Sequence, residues 1–210
     1  EVMSMDDILI KGITKTGDKF TFEENKYLFS IGEYEQGEET RHRHDFSELV
    51  LVSQGGAEHV IQDRSTYVSK GDVFVITGNT SHGYRNVSNF KICNICYKSE
   101  ELLRKERDLR KLPGFQTLFL LEPFFRTRHQ FQNMLKLNSR QFKYVYQVLQ
   151  LMIKEFQQED ENFRIKLYSY FRLVLIYLSQ QFVEKQQQQS SPPKGPNSSS
   201  TNSYNRLMNQ

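Results

Sequence analysis

The stretch that decides the fold spans residues 37–55 and reads GEETRHRHDFSELVLVSQG. It places His42, His44 and Glu48 at even-numbered positions. Successive side chains of a β-strand alternate between its two faces, so these three share a face if the segment is one unbroken strand. Phe46 falls on the same face, which therefore mixes polar and aromatic side chains as the inside of a ligand-binding barrel does.

A second stretch, residues 71–86, reads GDVFVITGNTSHGYRN. Its apolar run, Val73 to Ile76, is typical of a buried strand, and the following Gly78-Asn79 pair is typical of a turn. His82 then begins the next strand. We therefore predict a small β-barrel whose inner face carries three imidazoles and one carboxylate, namely His42, His44, His82 and Glu48.

Two or three histidines with a glutamate form a donor set that suits a first-row divalent metal. The candidate ligands are His42, His44, Glu48 and His82, and zinc, nickel, manganese or iron could occupy such a site. Two other interpretations of these residues stay open. They could contact a small-molecule ligand directly, or they could form a hydrogen-bond network that only supports the fold.

The two stretches resemble the paired motifs of the cupin superfamily. Its first motif has a glycine, a His-x-His pair, a glutamate and a second glycine; its second has a glycine, a Pro-x-Gly turn, a histidine and an asparagine. Here Gly37 lies one residue closer to His42 than is usual. Thr77 replaces the proline and Asn79 replaces the turn glycine. The resemblance implies a jelly-roll barrel, and departures in this turn are common in cupins that bind no metal.

Composition excludes several classes of protein. The chain has 210 residues and a net charge of +3, which is too small to indicate nucleic-acid binding by itself. No apolar run reaches about 18 residues, so no membrane-spanning helix is expected. Cys93 and Cys96 are three residues apart in a predicted strand, so their side chains should face opposite ways. We expect buried thiols of a reduced, cytoplasmic protein.

Two local features of the barrel region are also predicted. Gln54 to Ala57 contains two adjacent glycines and is predicted to be a hairpin turn between two strands. His59 and His129 are isolated histidines, for which a surface position or a satisfied structural role is expected. Residues 1–12 could pair as an edge strand or an arm.

Beyond Ser99 the pattern becomes helical. Glu100 to Lys111 is charged and favours a helix. Phe115 to Phe125 contains Pro123 and is interpreted as a loop or short turn packed on the barrel mouth. Asn138-Ser139 offers a helix N-cap. The helix that follows has apolar side chains at steps of three and four, at Phe142, Val145, Leu149, Met152 and Phe156.

A second long helix is predicted from Phe163 to Phe182. One apolar stripe of this helix consists of Leu167, Phe171, Val174 and Leu178. Further apolar side chains widen this surface so much that the helix must be buried on more than one side. It could pack only against the first helix and the barrel, or it could also form a two-fold interface with a second copy.

The chain divides into three predicted regions. Residues 1–98 form the barrel, residues 99–183 form a connector and two antiparallel helices, and residues 184–210 form a polar linker. The linker is rich in Gln, Ser, Pro, Gly and Asn and cannot build a core. Because a domain rarely ends with a linker, we expect a further domain after residue 210.

This organisation resembles the N-terminal effector-binding and dimerisation part of AraC-family transcriptional regulators, and most resembles the rhamnose operon activators. The resembling segments are His42–Val50, Gly71–Phe74, His82–Tyr84, Asn94–Tyr97 and Leu112–Phe115. The resemblance implies a homodimer and a DNA-binding domain, outside these residues, with two helix-turn-helix motifs. It implies no contact with a membrane.

The resemblance also implies a mechanism. A small molecule, such as the sugar rhamnose, would enter the barrel and shift the dimer between two arrangements on DNA. The effector-binding residues would be His42, His44, Phe46, Glu48, His82 and Tyr84, and the dimerisation residues would be Leu167, Phe171, Val174 and Leu178. On this interpretation the chain is not an enzyme and requires no cofactor. The alternative is a metal-dependent cupin enzyme, either a dioxygenase or a sugar isomerase or epimerase.

Overall fold

The structure is a computed structural model that describes residues 13–22, 29–62, 64–103, 106–121, 134–158 and 160–190. The strands are β1 (Ile13–Thr16), β2 (Lys19–Phe22), β3 (Phe29–Glu35), β4 (Glu39–His44), β5 (Ser47–Ile61), β6 (Arg64–Ser69), β7 (Asp72–Ile76), β8 (His82–Tyr97) and β9 (Leu135–Lys136). The helices are α1 (Ser99–Leu103), α2 (Arg107–Arg110), α3 (Pro113–Phe115, continued by a π-helical segment at Gln116–Leu121), α4 (Ser139–Gln158) and α5 (Phe163–Ser190). The predicted order, a β-barrel followed by helices, is confirmed. Among the described residues, no helix is long and apolar enough to cross a membrane.

Strands β5 and β8 are the long central strands of the sheet. They pair antiparallel along most of their length. The strand order is β1-β2-β4-β8-β5-β7-β9, with β3 added to β8 and β6 added to β5. Each long strand therefore has different partners at its two ends, and the sheet folds over on itself to enclose an interior.

The hairpin turn predicted at Gln54 to Ala57 is wrong. Strand β5 runs through this segment without turning, and its register against β8 shifts between Val52 and Glu58. Gly55 has a φ of 62°, and a Cβ there would lie 2.0 Å from the carbonyl oxygen of Asn89. Glycine is therefore required by a bulge and the close approach of β8, and not by a reversal of the chain.

Alternation along the strands sorts side chains between an inner and an outer face. Leu49 points outward and joins the helices in one apolar cluster, whereas Val50 points into the barrel. The cysteines follow the same rule, since Cys93 belongs to the outer cluster and Cys96 to an inner one. This confirms the prediction that the two thiols face opposite ways.

The loop predicted at Phe115 to Phe125 is wrong for the part that the structure describes. Helix α3 and its π-helical continuation occupy residues 113–121, and Pro113 stands at the first position, where its missing N–H costs nothing. Phe115 and Leu118 are fully buried in the same cluster as α5. The apolar run therefore packs on the helical side of the barrel rather than at its mouth. Residues 122–125 lie outside the described residues.

Helix α4 begins where the sequence predicts. The side-chain oxygen of Asn138 accepts a hydrogen bond from the backbone N–H of Gln141 at 3.0 Å. The Gln141 side chain accepts one in return from the backbone N–H of Asn138 at 2.9 Å. This reciprocal pair is a capping box, which satisfies two backbone donors at the helix start.

Helix α5 extends further than predicted. It ends at Ser190, because the glutamine run that follows residue 185 has good helix propensity. The first residues of the linker predicted at 184–210 are therefore helical, and residues 191–210 lie outside the described residues. The arm predicted at residues 1–12 also lies outside them.

The stripe assigned to dimerisation packs inside the chain. Its members are Leu167, Phe171, Val174 and Leu178. None of the four is more than 6% exposed, and all belong to the cluster that joins the helices to the outer face of the barrel. The ring of Phe171, for example, lies 5.2 Å from that of Phe29 and 5.1 Å from that of Tyr97, between centroids. The assignment is corrected, since the stripe attaches α5 to the barrel.

Gly114 allows α3 to lie against α5. A Cβ at this position would lie 2.0 Å from the carbonyl oxygen of Ser179. We expect Gly114→Ala to lower the free energy of unfolding by about 1–3 kcal/mol, because the two helices must separate. The measurement is urea denaturation followed by circular dichroism. Gly37→Ala is the matched control, since a Cβ there meets no atom within 4 Å. An equal loss in both variants would contradict the packing explanation.

Candidate functional site

Three polar side chains meet inside the barrel. They are His44 at the end of β4, Glu48 near the start of β5 and His82 at the start of β8. The Nε2 atoms of His44 and His82 lie 3.7 Å and 3.6 Å from Oε2 of Glu48. One donor atom from each residue lies within 4.8 Å of the other two, and all three side chains are buried. The result is a compact set of two nitrogen donors and one oxygen donor.

His42, His44 and Glu48 face the barrel interior as predicted, although the strand is interrupted between His44 and Ser47. Strand β4 ends at His44 and β5 begins at Ser47, so the segment is not one unbroken strand. Phe46 lies in the bend between them and stacks on the His44 ring, with centroids 4.6 Å apart. Because β4 and β5 both pair with β8, His42 and His44 on β4 and Glu48 on β5 still face the interior together.

The backbone holds the outer nitrogens of the imidazoles. Nδ1 of His44 donates to the carbonyl oxygen of Phe46 at 2.5 Å, and Nδ1 of His82 donates to that of Thr80 at 3.2 Å. These bonds place the proton on Nδ1 and direct the Nε2 lone pairs toward Glu48. Nε2 of His44 is buried and has no hydrogen-bond partner among the described residues. The donor set therefore fits a divalent metal ion.

His42 lies beside this set. Its ring meets that of His82 edge to face, with centroids 4.2 Å apart, and its Nδ1 lies 3.4 Å from Oε1 of Glu39. The structure thus brings together three of the four predicted metal ligands and places the fourth next to them.

Burial favours the neutral form of His42 and of His82. Desolvation is the main cause that holds the pKa of His82 well below its ordinary value, and His42 and His44 act in the same direction. Desolvation also lowers the pKa of His42, against an opposing effect of Glu48. Neutral imidazole is the form that binds a metal or accepts a hydrogen bond, so at neutral pH these side chains can do either.

A cavity of about 360 Å³ opens beside His42 and Glu48. This volume is within the range of small-molecule sites in proteins. Three of the six predicted effector-binding residues line it, namely His42, Phe46 and Glu48. The aromatic ring of Phe46 thus shares the wall with an imidazole and a carboxylate, as the parity of the sequence predicts.

The other three predicted effector-binding residues are not among the lining residues. His44 and His82 approach Glu48, which itself lines the cavity. Tyr84 belongs to an inner apolar cluster and stacks on His59, with centroids 4.8 Å apart. His59 is not at the surface but fully buried, and its ring lies 5.8 Å from that of His82. Tyr84 and His59 therefore form part of the barrel core; His129 lies outside the described residues.

Seven polar residues line the cavity beyond those predicted from the sequence. They are Lys15, Tyr34, Gln36, Glu38, Glu39, Thr40 and Asn94. Asn94 carried a usable signal, because it is the one polar residue in the apolar run from Ile92 to Tyr97. Gln36 and Glu39 carried no such signal, because both lie in a run of polar residues where β3 connects to β4.

The β1–β2 hairpin supplies apolar side chains to the cavity. Ile13 and Phe20 line it, and the Phe20 ring lies 4.9 Å from that of His42. Phe22 makes a similar edge contact with Phe46 at 4.9 Å. Strand β2 is held there by parallel pairing with β4. Aromatic rings therefore form part of the cavity wall.

Comparison with known proteins identifies the barrel. Residues 30–96 match the family model described as a cupin domain. Over 99 residues the chain is 34% identical to the HTH-type transcriptional activator RhaR of Salmonella arizonae and 33% identical to that of Salmonella paratyphi B. Each alignment covers 47% of this chain and 35% of the relative. The chain thus spans about a third of the length of these curated relatives.

Two solved structures are more distant. Apo ToxT K231A from Vibrio cholerae is 12% identical, with 80% of this chain and 59% of that chain covered and a TM-score of 0.48. A cupin-2 domain protein from Shewanella frigidimarina is 20% identical, with 36% and 76% covered and a TM-score of 0.31. The family model and the curated relatives carry the identification. The predicted similarity to rhamnose operon activators is confirmed for the N-terminal half of the chain, and residues 30–96 match the cupin-domain model.

Proposed function

We propose that this chain is the ligand-sensing and dimerisation part of a sugar-responsive AraC-type transcriptional regulator. A small molecule bound in the barrel would control DNA binding by a helix-turn-helix domain outside these 210 residues. The observation that carries the proposal is the cavity beside His42 and Glu48, in a cupin domain similar to HTH-type transcriptional activators. The same relatives favour a regulator over an enzyme, so turnover of a sugar by the isolated chain would overturn the proposal.

The lining of the cavity suits a sugar. Glu39 and Glu48 can accept hydrogen bonds from hydroxyl groups, and Asn94 adds an amide. Phe20 and Phe46 supply the apolar wall against which the C–H face of a sugar ring can lie. A few placed polar groups within an apolar surface are what small-molecule sites use for orientation and specificity. A sugar such as rhamnose presents both kinds of surface.

A divalent metal (zinc, nickel, manganese or iron) is an optional part of the proposal. His44, Glu48 and His82 would hold it, with His42 beside them. When bound, such a metal supplies a Lewis-acidic position for a ligand oxygen. The chain's own contribution is to orient that position, because backbone carbonyls hold two of the imidazoles through Nδ1.

A homodimer is also part of the proposal, through a different surface from the one predicted. The stripe on α5 is buried in the chain's own core, whereas Leu151 on α4 and Ile165 and Leu173 on α5 are exposed. We assign these exposed apolar side chains to the contact between two copies.

The test is a thermal-shift and calorimetric titration of the purified chain with L-rhamnose and a panel of other monosaccharides. We expect one or more sugars to raise the free energy of unfolding, by about 2.7 kcal/mol at 100 times the Kd. His42→Ala should abolish this stabilisation, because His42 lines the cavity. Arg43→Ala is the control, since Arg43 is the exposed neighbour on the other face of β4.

The proposal is wrong if no sugar stabilises the wild-type chain, or if both variants respond to sugar equally. Light scattering on the same samples should give the mass of a dimer at micromolar concentration. A monomer under those conditions would remove the dimer from the proposal.

A further inference from the structure

Asn94 places an unpaired hydrogen-bond acceptor inside the barrel. Its side chain is 6% exposed and lines the cavity beside His42 and Glu48. Its Oδ1 is buried and has no hydrogen-bond partner in the part of the chain that the structure describes. A buried polar atom without a partner is costly, so natural proteins leave few of them. The unpaired Oδ1 atom of Asn94 belongs to a residue in the wall of a cavity large enough for a small-molecule ligand.

Tyr34 fixes the orientation of this amide. Nδ2 of Asn94 donates to the hydroxyl oxygen of Tyr34 at 3.0 Å. The two residues lie on the neighbouring strands β8 and β3, and Tyr34 is also buried and lines the cavity. Because the amino group is committed to Tyr34, Oδ1 is held as the free end of the amide.

The acceptor lies on the same inner face as the His/Glu set. Cys96 pairs across the sheet with Glu48, and Asn94 precedes Cys96 by two residues on that face of β8. Two residues of a strand advance about 7 Å. A single small molecule in the cavity can therefore reach both the Glu48 carboxylate and the Asn94 amide.

The charges of the wall select the chemistry of the ligand. Glu39, Glu48 and the Oδ1 atom of Asn94 are all acceptors, while Lys15 supplies a positive charge. A ligand that matches several acceptors must present several donors, as the hydroxyls of an uncharged polyol do. A phosphate or carboxylate group would instead face the carboxyl groups of the three glutamates that line the cavity, Glu38, Glu39 and Glu48.

We propose that Oδ1 of Asn94 is a specificity-determining contact, which accepts a hydrogen bond from one hydroxyl of an uncharged polyol. Tyr34 is the positioning residue that holds the amide in this orientation. The inference rests on the proposed function, because it assigns a residue and a ligand class to the same cavity. The acceptor is unpaired in the ligand-free protein because the ligand supplies its donor.

The first arm of the test measures stability without ligand. The double variant Tyr34→Phe/Asn94→Leu removes both partners of the hydrogen bond at similar side-chain size, so no buried polar atom is left behind. We expect its melting temperature to exceed that of the wild type. A lower melting temperature would show that the pair only supports the fold and would overturn the inference.

Ser53→Ala is the matched control. The hydroxyl oxygen of Ser53 is also buried and lacks a hydrogen-bond partner among the described residues, but Ser53 does not line this cavity. Its removal should raise the melting temperature and leave ligand binding unchanged. A loss of sugar binding equal to that of the double variant would contradict the assignment to Asn94.

The second arm measures binding of L-rhamnose and its singly deoxygenated analogues by calorimetry. The double variant should bind L-rhamnose about 10-fold more weakly than the wild type. One analogue should bind the wild type about 10-fold more weakly than L-rhamnose, and this difference should vanish in the double variant. If the same analogue loses affinity equally in both proteins, the inference is overturned.

The two proposals fail in different ways. If no sugar binds the wild type, the proposed function and the inference that rests on it both fail. If sugars bind the wild type and the double variant equally, the proposed function stands and the inference fails.

Discussion

The variant His82→Ala is expected to lose stoichiometric divalent metal. Nε2 of His82 lies 3.6 Å from Oε2 of Glu48 and belongs to a set of three donors within 4.8 Å of one another. Removing one of three protein ligands should weaken binding by more than the roughly 10–100-fold that loss of an outer hydrogen-bond partner costs. The measurement is the metal content of the chain after loading with zinc, nickel, manganese or iron, together with calorimetric titration.

Two further histidine variants test whether the loss of metal is specific to the three donor residues and whether His42 is a fourth ligand. His59 is fully buried and its ring lies 5.8 Å from that of His82, but it is not one of the three donors. His59→Phe keeps a flat ring and should therefore keep the metal. His42→Ala should weaken binding less than His82→Ala, because His42 lies beside the set; an equal loss would make it a fourth ligand. A wild-type chain that binds none of the four metals would contradict the prediction.

The inward-facing set could be predicted because β-sheet parity is a local property. His42, His44 and Glu48 reach the interior although the chain bends between β4 and β5, since both strands pair with β8. Parity does not determine which of the inward-facing side chains line the cavity. Tyr84 has the right parity, yet it packs on His59 and belongs to the barrel core.

The errors in the fold prediction come from contacts between segments distant in sequence. The adjacent glycines at Gly55 predict a turn from the sequence alone. Position 55 requires glycine because a Cβ there would collide with the carbonyl oxygen of Asn89 on β8. The sequence predicts Phe115 in a loop because Pro123 follows it. Its helical state depends on packing against α5, which Gly114 permits. A single sequence does not reveal such pairings.

Glu39 should make the stability of the chain depend on pH. Burial is the main cause that raises the pKa of Glu39 to about 7, and the negative charge of Glu48 acts in the same direction. Lys15 and the side chain of Gln36 oppose this rise. Because this pKa exceeds the ordinary value of 4.5, the folded chain binds the proton more tightly than the unfolded chain. The resulting stabilisation is fully present below pH 4.5 and is lost as the pH rises to about 7.

Glu39→Gln should abolish that loss. At pH 8 the variant should be more stable than the wild type by up to about 3 kcal/mol, because the amide carries no charge to bury. At pH 4 the two proteins should be nearly equal in stability, at about 0.5 kcal/mol or less apart. The measurement is urea denaturation between these pH values in the presence of EDTA. The difference between the two proteins also cancels the effect of His82, whose lowered pKa acts in the opposite direction.

Comparing the wild type with Glu39→Gln in metal-loaded protein tests the predicted metal site and the predicted pH dependence together. A divalent ion at Glu48 would offset the negative charge that helps to raise the pKa of Glu39. The pKa of Glu39 should then fall, and the stability advantage of Glu39→Gln at pH 8 should shrink. It should not disappear, because burial is the larger cause of the raised pKa. An advantage that is absent in EDTA would contradict the burial of the Glu39 charge, and one that metal leaves unchanged would place the metal away from Glu48.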